Sequence, residues 1–221
     1  ALGILAYLAA ATPRLAAGKP FSPRELPTLF AAPALRNIYV VTALFATAHF
    51  TCYSYIEPFL QQVAHFPDDL ITLTLVLYGA AGMAGSALLS RTYGRMRFPL
   101  MRAVVIGVAA SMALLLATAA SATATVAVCA LWGACYTAYN VAFQSEVLAN
   151  STEDASAVAM SAYSGIFNLG IGSGTWIGGA VAQAAGIADV GLAGALVGLA
   201  AFAVCSVHLV RSIKRAEAPA A

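Results

Sequence analysis

Apolar residues fill six long stretches of the chain, which are separated by short polar connections. The stretches cover residues 37–60, 70–90, 100–121, 124–145, 157–183 and 191–210. Each has close to the ~20 residues that a helix needs to cross the hydrocarbon core of a bilayer. Each must be helical, because lipid offers the backbone no hydrogen-bond partners. The pattern predicts an all-α, polytopic membrane protein with a six-helix transmembrane domain over residues 37–210.

Composition supports this prediction. The 221 residues are 61% hydrophobic and only 9% charged, whereas a soluble domain carries about 25% charged residues. So few charged residues cannot cover the surface of a water-soluble protein of this size. A net charge of +2 is too small to attract nucleic acid strongly. We therefore expect the lipid bilayer as a partner, and no nucleic acid.

The basic residues fix an orientation. Even-numbered crossings bring every Lys and Arg to one side: Arg14, Lys19, Arg24, Arg36, Arg91, Arg95, Arg97, Arg102, Arg211, Lys214 and Arg215. By the positive-inside rule that side is the cytoplasm. The connection at 146–156 falls on the same side but is acidic, which counts little in this rule. The predicted location is the bacterial inner membrane, with residues 211–221 as a cytoplasmic tail.

Two segments precede the first full span. Residues 1–12 are apolar but too short to cross a membrane, and we interpret them as the end of a preceding transmembrane helix. Residues 13–36 contain five prolines and four basic residues, which argues against one continuous helix. We interpret 13–36 as a cytoplasmic linker that follows an N-terminal half.

Polar and aromatic residues are concentrated on one face of the first, fourth and fifth spans. The faces comprise Thr42, His49, Tyr53 and Glu57; Trp132, Tyr136, Tyr139, Asn140 and Phe143; and Ser161, Ser164, Asn168 and Thr175. Hydrocarbon penalises such groups, so they should face protein or a water-filled cavity. The alternative is that they only hydrogen-bond neighbouring helices. The third and sixth spans have almost no polar residues in their middle parts, so they could face lipid over much of their circumference.

A second pattern is structural. Gly170, Gly174 and Gly178 are four residues apart, as are Gly194 and Gly198. Small residues at this spacing let helices approach closely. We expect helix packing at these positions and no further role.

Two residues are candidates for proton coupling. Glu57 is the only acid within a predicted span, and an intramembrane carboxylate is by default a functional hypothesis. Its alternative role is to position a helix break before Pro58 at the outer end. His49 titrates near neutral pH or binds a substrate hydroxyl, or it pairs with a neighbouring helix.

Substrate contact is predicted for residues that combine flat apolar faces with hydrogen-bonding tips. The candidates are His49, Tyr53, Trp132, Tyr136, Tyr139, Asn140 and Asn168. For any single aromatic residue, packing within the bundle is the alternative. The four cysteines are scattered, and no metal-ligand spacing or GxSxG or HExxH motif is found. We therefore expect no cofactor, no metal site and no enzymatic activity.

The segment LYGAAGMAGSALLSRTYGRMR resembles the cytoplasmic signature loop between helices eight and nine of major facilitator superfamily transporters. The match rests on a glycine-rich helix end followed by Gly94, Arg95 and Arg97. Arg91 stands where the signature acid would be, and Ala87 where its first glycine would be. We therefore interpret these arginines as topology-setting charges rather than as a latch.

Two further segments, HFTCYSYIEPFLQ and FNLGIGSGTWIGG, resemble the sugar efflux permeases of the proton-antiporter branch. The resemblance implies helices seven to twelve of a twelve-helix protein, with an N-terminal six-helix half as partner. It implies alternating access, with helices seven and ten at the cavity and nine and twelve outside. The expected function is proton-coupled efflux of a sugar or small amphipathic compound. The competing hypothesis is a truncated membrane remnant that transports nothing.

Overall fold

The computed structural model describes residues 30–217. Within this range there are seven α-helices: α1 Pro33–Tyr53, α2 Ile56–Gln62, α3 Asp68–Thr118, α4 Ala122–Ala149, α5 Ser156–Ala184, α6 Val190–Val204 and α7 Val210–Glu217. Short 3₁₀ turns at Glu153–Ala155 and Ile187–Asp189 precede α5 and α6, and one π-helical turn, Cys205–Leu209, joins α6 to α7. The predicted helix end at 1–12 lies outside the described residues, as does the linker up to residue 29.

The first predicted span is broken before its end. α1 ends at Tyr53, and α2 begins at Ile56. Pro58 explains the break, because it lacks an amide hydrogen and its ring clashes with the carbonyl of Ser54 in a continuous helix. α1 also begins at Pro33, inside the segment interpreted as a linker, so the helix is longer at its N-terminal end than predicted.

The second and third predicted spans follow each other with almost no loop. α3 contains 51 residues, or about 75 Å of straight helix, which is enough for two crossings. Met96 alone leaves the helical conformation, with φ −128° and ψ 33°. Pro99 cannot donate to the carbonyl of Arg95, which explains why the helix bends here.

Within residues 30–217, length and apolarity together identify three helical segments that can cross a membrane. They are Asp68–Thr118, Ala122–Ala149 and Ile187–Glu217. α1 and α5 are not among them, since these two helices carry polar faces that lower their mean hydropathy.

The helices pack in two groups. α1 packs against α5 and α6, while α3 packs against α4 and α6. Gly170, Gly174 and Gly178 lie against α1: a Cβ atom on Gly174 would be 2.4 Å from the carbonyl oxygen of Thr47. A Cβ atom on Gly194 would be 2.8 Å from the carbonyl oxygen of Ala48. The predicted packing role of these glycines is confirmed.

Side-chain contacts at one end of the bundle link the bend in α3, the end of α4, the start of α1 and α7. Arg97, beside the bend in α3, pairs with Glu146 near the end of α4 and with Glu217 in α7. The Asn37 amide near the start of α1 donates to Ser212 Oγ at 3.1 Å. The basic residues within the described range therefore gather at this end, as even-numbered crossings require. The structure and the hydropathy pattern agree on an all-α polytopic fold.

Candidate functional site

The polar residues predicted on the first and fourth spans meet between α1 and α4. The indole Nε1 of Trp132 donates to His49 Nδ1 at 3.1 Å. Further toward the basic end, the Tyr139 hydroxyl donates to Thr42 Oγ1 at 3.2 Å. These hydrogen bonds join the two helices at two levels.

The Trp132 contact defines the protonation of His49. An indole N–H can only donate, so Nδ1 of His49 is an acceptor and the neutral ring carries its hydrogen on Nε2. The His49 side chain is 1% exposed. Its ring stacks on Tyr136, with 3.9 Å between centroids, and lies 5.0 Å from Tyr53. An added proton must go to Nδ1, and this protonation would break the bond from Trp132.

Exposure divides the predicted substrate residues on these helices. His49, Trp132 and Tyr139 are buried. Tyr53, Tyr136 and Asn140 are partly exposed. The Asn140 amide donates to the Tyr136 carbonyl at 3.0 Å, which uses one of its two hydrogens. The buried residues therefore support a surface formed by the uncovered ones.

Tyr78 of α3 completes this aromatic cluster but was missed by the sequence analysis. Its ring lies 5.3 Å from Tyr53 and 5.8 Å from Trp132. Its hydroxyl is buried without a hydrogen-bond partner in the described part of the chain. In the sequence, only the presence of a single tyrosine in the second span could have pointed to Tyr78, because that span has no concentrated polar face. Gly133 brings α4 close, since a Cβ there would be 2.1 Å from the Tyr78 carbonyl oxygen.

Both alternatives for the polar face of α5 occur along its length. Thr175 Oγ1 shares a 2.8 Å hydrogen bond with Ser54 Oγ and therefore joins α5 to α1. Asn168, in contrast, is exposed and donates to the carbonyl of Ser164 in its own helix at 2.9 Å. Ser161 and Ser164 are also exposed. The polar face of α5 therefore joins α1 at Thr175 and is uncovered at Ser161, Ser164 and Asn168, which lie nearer the end with the arginines.

Glu57 lies apart from His49. It is exposed in the first turn of α2, beyond the break that follows Tyr53. No hydrogen bond within residues 30–217 links it to the aromatic cluster. The two candidates for proton coupling are therefore separate groups.

The residues of the signature loop have different environments. Gly94 has open space around its Cβ position, and Arg95 is exposed. Arg97 is partly buried, and its Nε and Nη2 atoms donate to the two carboxylate oxygens of Glu146. Its Nη1 atom donates to Glu217. For Arg97, the interpretation as a topology-setting charge alone was therefore incomplete.

The sequence pattern does not single out Glu146, because it assigns residues 146–156 to an acidic connection. α4 continues to Ala149, and Glu146 is 1% exposed. It also accepts hydrogen bonds from the Tyr93 hydroxyl and from Asn150 Nδ2, the latter at 3.3 Å. The signal was present: residues 132, 136, 139, 143 and 146 continue one helical face at spacings of four and three.

The pKa values around Glu146 favour a stable network. Its hydrogen bond with Arg97 raises the pKa of that guanidinium above the usual value. Burial, followed by the hydrogen bond to Glu146, raises the pKa of the Tyr93 phenol. Arg97 therefore stays charged and Tyr93 stays a donor throughout the physiological pH range.

Known proteins match this chain over most of its length. The family model described as "Major Facilitator Superfamily" matches residues 1–175. A protein named "Probable sugar efflux transporter" from Pasteurella multocida is 38% identical over 199 residues, covering 89% of this chain and 48% of that protein. A protein of the same name from Mannheimia succiniciproducens is 34% identical over 195 residues, covering 88% and 49%.

The chain spans about half the length of these curated relatives. Both relatives are named as transporters, which agrees with the resemblance found in the signature loop and in the first and fifth spans. The helical fold, the apolar spans and the family match together lead to one conclusion. The chain belongs to the major facilitator superfamily.

Proposed function

We propose that this chain forms the C-terminal half of a secondary active transporter that exports a sugar or small amphipathic compound in exchange for protons. The observation that carries the proposal is the partly exposed surface of Tyr53, Tyr136 and Asn140, supported by the buried His49–Trp132 pair. Such a surface is costly against lipid and suits contact with a polar ligand.

The chemistry of this surface favours a ligand with an apolar face and hydroxyl groups. Tyrosine rings offer flat apolar area, and their hydroxyls donate and accept hydrogen bonds. Asn140 adds an amide on the same helix, one turn from Tyr136. A pyranose ring combines these features, which supports a sugar as the exported compound.

Asn168 extends the proposed binding region to α5. Its amide is exposed although hydrocarbon would penalise it. An N-terminal six-helix half that covers this face would enclose Asn168 in a cavity between the halves. Alternating access would then expose the cavity first to one side of the inner membrane and then to the other.

The hydrogen bonding of His49 supports a role in proton coupling. Protonation at Nδ1 removes the acceptor for the Trp132 N–H, and so weakens the contact between α1 and α4. Proton binding would thereby change how these two helices pack. Glu57 is the second candidate, placed where a proton would enter from the outer end.

Uptake into inside-out proteoliposomes tests this proposal, because an exporter moves its substrate into such vesicles. The protein would carry both halves, with this chain as the C-terminal one. We expect uptake into inside-out vesicles to require an imposed proton gradient, and to lose that dependence in His49→Ala or Glu57→Gln. Asp69→Asn, an exposed acid at the same end as Glu57, is the matched control and should behave like the wild type.

Unchanged coupled efflux in both variants would refute the proton sites. A higher substrate KM in Tyr136→Ala, with transport still dependent on the proton gradient, would assign that residue to substrate binding. The 221-residue chain reconstituted alone should not transport. Failure of the joined protein as well would support the remnant hypothesis.

A further inference from the structure

A basic cleft lies at the end of the bundle where the arginines gather. Its volume is about 600 Å³, and it is bounded by the start of α1, the end of α4 and the turn from α6 into α7. The polar and charged side chains that line it are Arg36, Asn37, Asn150, His208, Arg211, Ser212 and Arg215. No carboxylate is found among the described residues of its lining.

The positive charge of this cleft is not neutralised within residues 30–217. Both ion pairs in this range belong to Arg97, which engages Glu146 and Glu217. Arg36, Arg211 and Arg215 are exposed and have no carboxylate within ion-pair distance in the described chain. The cleft therefore contains three guanidinium groups that are unpaired within the described part of the chain. The guanidinium group is the side-chain group best suited to planar recognition of phosphate.

The backbone adds to this charge. α1 begins at Pro33 without a side-chain cap on its first amides, and Ala32, Pro33 and Ala34 line the cleft. The first amides of a helix lack partners and carry a partial positive charge. Anions are thus attracted by α1 as well as by the arginines.

An apolar path leads from the cleft along α6. Val207 lines the cleft and is 41% exposed. Leu199 and Leu196 continue the path toward the middle of the helix and are also exposed. A free phosphate compound would make no use of these side chains, whereas an acyl chain would lie along them.

We propose that this cleft binds the phosphate group of an anionic phospholipid. Arg36, Arg211 and Arg215 surround the phosphate, and the acyl chains lie along Val207, Leu199 and Leu196. Basic pockets between transmembrane helices at the cytoplasmic side are suited to such headgroups. The site is independent of the proposed transport function, because it shares no residue with the surface around Tyr136.

Native mass spectrometry of the purified 221-residue chain tests the site. The probes are phosphatidylglycerol, phosphatidylcholine and glycerol 3-phosphate in the same detergent. We expect phosphatidylglycerol to be retained, with phosphatidylcholine bound at least about tenfold more weakly because its headgroup has no net charge. Glycerol 3-phosphate at millimolar concentration should not displace the lipid.

Paired variants separate the cleft from the general charge of this end. Arg36→Gln with Arg211→Gln should weaken phosphatidylglycerol binding about tenfold or more, since each basic residue near the surface contributes severalfold. Arg91→Gln with Arg95→Gln removes the same charge from exposed residues outside the cleft and should change binding less than about twofold. Arg36→Lys with Arg211→Lys should retain most of the affinity. All altered residues are exposed, and circular dichroism would verify the helical fold.

Three results would overturn the proposal. Equal losses in the two Gln pairs would show that only net charge matters. Equal binding of phosphatidylcholine would exclude an anion-selective site. Displacement by glycerol 3-phosphate at the lipid's own affinity would identify a site for a soluble phosphate compound instead.

Discussion

Two buried polar side chains, His49 and Glu146, are held by hydrogen-bond partners on neighbouring helices. His49 is neutral because the Trp132 indole occupies its Nδ1 atom. Glu146 is an acceptor for Arg97, Tyr93 and Asn150. Both residues lie between helices, so a change in either protonation state would alter helix packing.

Glu146→Gln tests the buried ion pair. The variant leaves the Arg97 guanidinium without its main counter-charge, and we expect the free energy of unfolding to fall by roughly 2–3 kcal/mol, somewhat less than for a fully buried pair because Arg97 is partly exposed. The measurement is denaturant unfolding of the chain in detergent, followed by circular dichroism. Glu153→Gln, an exposed acid after α4, is the control.

A double variant distinguishes the cost of leaving the Arg97 charge unpaired from the cost of removing the whole ion pair. Glu146→Leu combined with Arg97→Met removes both charges and should recover part of the lost stability, because the carboxylate that loses its partner, Glu217, is exposed to solvent. A double variant less stable than Glu146→Gln alone would contradict the ion-pair explanation.

For individual residues, the sequence predicted which helical face each one lies on, but not which residue of another helix it contacts. The spacing of Trp132, Tyr136 and Tyr139 placed them on one helical face, and the structure has them facing α1. Periodicity cannot show that Trp132 meets His49, because these residues are 83 positions apart in sequence and their contact depends on the axial register of two helices. Tyr78 was missed for the same reason, because only packing against Gly133 brings it to the cluster.

Helices in this bundle are shaped by glycines and prolines. Pro58 and Pro99 explain the break after Tyr53 and the bend at Met96, because each removes a helical hydrogen bond. The positions of the spans were predictable from apolar length alone. The sequence did not predict that α3 continues almost without a loop through the basic segment. Basic residues are found both in turns and in exposed helical segments, so they do not distinguish the two.

Gly174→Ala tests the contact between α1 and α5. The added Cβ would be 2.4 Å from the carbonyl oxygen of Thr47, so the helices must separate, at a cost of about 1–3 kcal/mol in unfolding free energy. Gly172→Ala is a matched control in the same helix, with open space at its Cβ position. It should be neutral or stabilising by up to ~1 kcal/mol, because alanine favours a helix over glycine. Denaturant unfolding in detergent compares the two, and equal losses would contradict the close-packing argument.

The whole molecule exposes two kinds of surface. α6 has an apolar stripe that includes Leu192, Leu196 and Leu199, which suits contact with lipid. α5 instead has Ser161, Ser164 and Asn168 uncovered, together with Trp176, which is 76% exposed. A membrane protein leaves such a polar face open only to protein or water. This difference supports our proposal that α5 faces an N-terminal half, and we expect α6 to face lipid.

Cysteine labelling distinguishes these surfaces in the assembled protein. Ser164→Cys and Leu196→Cys would each be introduced into a protein that joins this chain to an N-terminal half, with the partly exposed Cys135 replaced by alanine. A membrane-impermeant maleimide reacts with thiolate in water, so we expect Ser164→Cys to be labelled at least about tenfold faster than Leu196→Cys. Saturating substrate should slow the first reaction and leave the second unchanged, because the ligand fills the cavity and not the lipid boundary. Equal rates at the two positions would mean that α5 does not line a water-filled cavity, and the binding region would then have to be confined to α1 and α4.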